Sequence, residues 1–191
     1  WIDVKTSDYI ESTEEYAKIS FIVEENNTTV IARTIDTEGQ ASKEAIDNID
    51  NIDKEKPIVS IEPNGGTYTL EPGQTMIQED IVLDAYDIGS GNNKSDLDVL
   101  EYAWSDSNTI EPQQWDTFVN GEANTKDLSG GTHYLWTRVI DKATNRADNL
   151  KISNPYIVNY KIIYDANGGE NAPEPQMKTH NQDLALSSEI P

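Results

Sequence analysis

Few side chains in this sequence are of a type and spacing that support covalent chemistry. His133 and His180 are its two imidazoles, and neither falls in a His-Glu-x-x-His or other paired-ligand spacing. His133 begins an apolar run, which points to a solvent-facing residue at a strand start rather than a base. The absence of cysteine removes disulfides, thiolate zinc ligands and thiol nucleophiles. Neither a Gly-x-Ser-x-Gly elbow nor a phosphate-cradling Gly-Lys-Ser loop occurs. A glycosidase needs only two carboxylates at the right separation, and 35 Asp and Glu residues supply many accidental pairs without singling one out. The expectation is a chain that is not an enzyme in its own right.

Two binding chemistries have named candidates. Hard cations take clustered oxygens, and Asp84, Asp87, Asp96 and Asp98 flank the stretch from Ile88 to Leu97, with Asp141 expected at the same end of the fold. These five are the candidate calcium ligands; no other cofactor is expected. The stretch lacks the alternating ligands and twelfth-position Glu of an EF-hand, so a plain polar turn is the competing reading. The second candidate is aromatic. Tyr134 and Trp136, with Arg138 beside them and Trp104 or Trp115 nearby, would form an exposed platform for stacking on sugar rings or on a host protein. The competing reading puts Trp104 and Trp115 in the core and packs Trp136 against a neighbouring module.

Composition limits the partners. The net charge is −21, a field that repels phosphate backbones and anionic lipid, so neither nucleic acid nor a membrane surface is expected as a partner. No run reaches the roughly 18 apolar residues of a membrane span. Trp1 to Thr6 lack the basic start and apolar run of a signal peptide, and the sequence begins without Met, so any export signal or wall anchor would lie outside it. Asn26, Asn27 and Asn93 fit the glycosylation pattern, but that pattern is common by chance and presumes a eukaryotic route.

The elements that would hold these residues are strands. Turn signals recur at Asn64-Gly65-Gly66, Glu71-Pro72-Gly73, Gly89-Ser90-Gly91, Asn120-Gly121, Gly130-Gly131 and Asn167-Gly168-Gly169. Between them lie β-rich runs such as Pro57 to Ile61, Ile81 to Tyr86, Val99 to Trp104 and Tyr134 to Ile140, a spacing typical of an all-β sandwich or barrel. Only Ser42 to Ile49 can be written as a helix, and it is too short to stand alone. The period-three run from Ile46 to Asp53 reads as a last strand and linker. An internal repeat organises the whole. Val30-Ile31-Ala32-Arg33-Thr34-Ile35-Asp36 aligns with Leu135-Trp136-Thr137-Arg138-Val139-Ile140-Asp141 at an offset of 105 residues, from 36 to 141, and each run is followed by a polar turn. Strand alternation puts Leu135, Thr137 and Val139 on one face, assigned to the core. Tyr134, Trp136, Arg138 and Ile140 then lie on the other, with Trp136 at least partly exposed.

Asp53-Lys54-Glu55-Lys56-Pro57 resembles the Asp-Lys-x-x-Pro opening of bacterial Ig-like repeats in Gram-positive surface proteins. Asp87-Ile88-Gly89-Ser90-Gly91, Glu101-Tyr102-Ala103-Trp104-Ser105, Trp115, Gly131-Thr132-His133-Tyr134 and Asp141-Lys142-Ala143-Thr144-Asn145 resemble the family's middle and closing motifs in order and spacing. Thr144 stands where the family usually has Gly, so the turn there is expected to differ in backbone conformation. Further on, Tyr160 to Gly169, with Pro173 to Lys178 and Leu184 to Pro191, resembles the first half of an internalin-type B repeat, a small β-grasp-like module. Stopping before that family's closing strands, this tail is expected to be extended, partly mobile or borrowed by a neighbour.

The resemblances imply an all-β chain in three parts: half of an Ig-like repeat at 1–53, an Ig-like β-sandwich at 54–158 and a partial β-grasp-like segment at 159–191. In the first part Trp1 would answer Trp115, with an insertion around Glu11 to Tyr16. The function they imply is that of a non-catalytic spacer and adhesion scaffold at the cell surface or wall of a Gram-positive bacterium. Its partners would be neighbouring repeats of the same chain and a host protein or glycan. A carbohydrate- or protein-binding module and an accessory region of a larger secreted hydrolase are the alternatives.

Overall fold

The computed structural model describes residue 2 and residues 11–12, 17–89, 94–149 and 151–188. Trp1, most of the expected insertion, Ser90, Gly91, Asn93 and Pro191 lie outside the described residues. Within them all regular structure is β, with no helix. The described residues divide into two compact units, one within residues 1–53 and one within residues 54–188.

In the first unit, β1 (Glu11–Ser12) pairs with β2 (Ala17–Lys18), and β3 (Thr28–Ala32) pairs antiparallel with β4 (Ala45–Ile49). The stretch that could be written as a helix is therefore a strand from Ala45 onward. Eight residues cannot sustain a helix alone, and β3 offers their backbone a ladder from Ala32↔Ala45 to Thr28↔Ile49. Asn26 closes the far end, its Nδ2 donating to the Ile52 carbonyl at 2.7 Å and its Oδ1 accepting from the Ile52 N–H at 2.8 Å. Phe21, Ile22, Ile35 and Ile46 remain exposed.

The second unit is a β-sandwich. Its strands are β5 (Ile58–Glu62), β6 (Gly66–Leu70), β7 (Met76–Tyr86), β8 (Leu97–Ser105), β9 (Asp116–Thr117), β10 (Ala123–Ser129), β11 (Gly131–Asp141), β12 (Tyr156–Ile162) and β13 (Gln176–Lys178). One sheet has the order β10-β7-β5; the other has β13-β12-β11-β8-β9, with β6 joined to β12. Alternation supplies the core. Val59 and Ile61 of β5, Ile81, Leu83 and Ala85 of β7 and Leu128 of β10 meet Leu135 and Val139 of β11 and Tyr156 and Val158 of β12 in one cluster. Tyr102 and Trp104 pack against it from β8, Trp104 standing edge-on to Tyr156 with ring centroids 5.0 Å apart.

The chain crosses between sheets at residues 63–65. Gly65 has φ +81°, and a Cβ there would lie 2.7 Å from the Asn154 Cβ, because Asn154 is tied to this crossover through Asn64. Past it, β6 runs parallel to β12 from Gly66↔Tyr156 to Leu70↔Tyr160. Strands β6 and β12 thus point the same way, whereas β13 runs back along the end of β12. Strand β12 passes through the expected boundary at 158, and β13 pairs with its last residues.

The internal repeat is a repeated turn. Asp36 N–H donates to the Gln40 carbonyl at 3.0 Å, Gly39 N–H to the Asp36 carbonyl at 3.0 Å, and Gln40 N–H to the Asp36 Oδ1 at 2.8 Å. The same three bonds join Asp141, Thr144 and Asn145, at 3.1, 3.0 and 2.8 Å. The flanking bridges Ile35↔Ala41 and Ile140↔Arg146 correspond as well. Gly39 has φ +85° and Thr144 φ +72°. The threonine therefore keeps the left-handed backbone that a glycine adopts in the other copy.

Candidate functional site

The outer face of the β8–β11 sheet carries the residues expected to form an aromatic platform, and it is covered. Trp136 is only 3% exposed. Its Nε1 donates to the Ser107 carbonyl at 2.9 Å, the Lys151 ammonium lies 5.7 Å from its ring centroid, and its backbone bridges to Ile152. This corrects the expectation of an exposed Trp136. Alternation identified the right face of β11, but the loop after β8 and the segment before β12 fold over it. Arg138 is half-buried and engaged, its Nε donating to Glu101 Oε2 and its guanidinium stacked 4.5 Å from the Trp115 ring centroid. Trp115 in turn donates Nε1–H to the Pro112 carbonyl at 3.1 Å. Tyr134 is half-buried on the same face. The three residues do not combine into an open stacking surface. Glu101, the residue that orients Arg138, was not among those expected, although the register Arg138↔Glu101 puts the pair directly across the ladder.

The five candidate calcium ligands separate into two groups. Asp87 directly follows β7 and Asp141 closes β11; they are 6% and 0% exposed, and a carboxylate oxygen of one lies within 4.8 Å of a carboxylate oxygen of the other. Asp84 points outward from β7, Asp96 pairs with Lys142 across 3.7 Å at an exposed corner, and Asp98 is exposed. Asp141 is held by the repeated turn. Its Oδ1 accepts from the Asn145 N–H at 2.8 Å and its Oδ2 from Asn145 Nδ2 at 2.9 Å. Asn145 was likewise not expected as a partner, although its place in the repeat and in the closing motif Asp141 to Asn145 set it beside Asp141. Asp87 differs from Asp141 in that neither of its carboxylate oxygens has a hydrogen-bond partner.

His133 is committed to structure, with Nδ1 2.8 Å from Asp106 Oδ1 and Nε2 2.9 Å from the Ser129 carbonyl. His180 lies against Tyr160, Nδ1 to hydroxyl 3.4 Å. In the first unit Ile19, Phe21, Val30, Ala32 and Ala45 line an apolar groove of about 750 Å³. No helix among the described residues is long and apolar enough to cross a membrane. Compared with known proteins, the chain matches no protein-family model and no curated protein.

Proposed function

We propose that this chain is a non-catalytic extracellular part of a bacterial surface or secreted protein, in which Ig-like modules in series act as a spacer and adhesion scaffold. The observation that carries this reading is the turn built twice, bond for bond, at a separation of one module length. With eleven residues in β11, each such module adds about 35 Å of reach. The first unit fits half of a repeat, its apolar side chains exposed where a second sheet would cover them. The hydrogen bonds that hold His133 between Asp106 and Ser129 suit a structural role in such a scaffold.

A screen of the 191-residue protein against a glycan array and immobilised host-matrix proteins tests the assignment. The expected result is no saturable binding. Saturable binding that disappears in Trp115→Ala or Arg138→Ala would replace the scaffold with a ligand-binding module.

A further inference from the structure

We propose that Asp87 and Asp141 bind a divalent, oxygen-seeking cation of the Ca2+ class, which ties the two sheets of the sandwich together at the end where β5 begins. Asp87 leaves β7 in one sheet and Asp141 ends β11 in the other, so an ion shared by them is a cross-link between sheets. Their nearest carboxylate oxygens are within 4.8 Å, a separation that one ion spans at the 2.3–2.6 Å typical of Ca2+ ligands.

Burial makes the pair unusual. The chain carries many exposed acids, but these two are 6% and 0% exposed, and both oxygens of Asp87 lack a partner. A buried carboxylate without donors is strongly disfavoured, and a second carboxylate beside it adds repulsion. The closest ammonium in sequence, that of Lys142, is turned outward toward Asp96. A divalent cation supplies the missing charge and the missing coordination together. Asp141 is oriented for it: Asn145 occupies one acceptor position on each oxygen, and an ionised carboxylate has about four such positions, so both oxygens retain one.

The experiment is thermal unfolding of the whole chain after chelator treatment, then with CaCl2 at ionic strength matched by NaCl. At a Ca2+ concentration on the order of a hundred times Kd, the melting temperature should rise by about 5–10 °C. Isothermal titration of the wild-type chain should show saturable binding. Asp87→Asn and Asp141→Asn should each lose the Ca2+ response. In chelator, Asp87→Asn should melt at or above wild type, because it removes an uncompensated buried charge; a merely structural carboxylate would give the opposite order. Equal melting temperatures with and without Ca2+, unsaturable titration, or a Ca2+ shift kept by both variants would overturn the site, the last assigning the shift to diffuse surface charge.

Discussion

Thr144 occupies a backbone conformation that its side chain opposes. At φ +72° a β-branched residue meets a steric cost of about 1–2 kcal/mol, whereas Gly39 holds the equivalent place freely. Replacing Thr144 by Gly should therefore stabilise the sandwich by about 1 kcal/mol after the extra flexibility of the unfolded chain is subtracted, read as a higher urea midpoint at unchanged slope. A lower midpoint would show that the threonine side chain contributes more than its strain removes. Tyr156 gives a pH prediction. Burial outweighs the hydrogen bond at its hydroxyl and pushes it from 10.0 up to about 12, and burial raises Tyr68 and Tyr102 in the same direction. Between about pH 10 and about pH 12 the unfolded chain releases this proton while the folded chain keeps it, so stability present below pH 10 is lost as pH rises through that window. In Tyr156→Phe the alkaline fall should be shallower; an identical slope would exclude Tyr156 as its source. At this scale the sequence named both Asp87 and Asp141, but among five acids it could not rank. Which acids become buried depends on strand ends meeting across two sheets, and local spacing does not encode that. Trp136 was misjudged for a related reason, since alternation specifies a side of the sheet and says nothing about loops that return to cover it.

Among the elements, strand positions were legible because alternation and turn residues mark them directly. The runs at 57–61, 81–86, 99–104 and 134–140 all lie within or across observed strands. Strands β6, β10 and β13 were not anticipated. They lie where polar residues alternate with few apolar ones, and their pairing partners are remote in sequence. The β4 segment shows the converse, a locally ambiguous stretch decided by an available ladder. The crossover between β5 and β6 depends on one residue. Gly65→Ala would force a Cβ to 2.7 Å from Asn154 and to 2.9 Å from the Pro155 carbonyl, at a positive φ. The variant is expected to lose about 2 kcal/mol or more, measured by chemical denaturation, and a loss below about 0.5 kcal/mol would mean that the 154–155 segment yields easily.

For the molecule as a whole, the repeat at an offset of 105 residues was the most informative feature of the sequence, because it reported a shared turn that three identities in seven positions only suggested. What stayed hidden was the route of the chain between sheets, and with it the parallel partnership of β6 and β12. That partnership has a mechanical meaning. If β6 and β12 are pulled apart along their lengths in opposite directions, the load runs along both strands. The pairs from Gly66↔Tyr156 to Leu70↔Tyr160 are then strained in shear all at once instead of being unzipped one by one. Rupture must break the whole row together, so this strand pair would act as a clamp against tension applied along it.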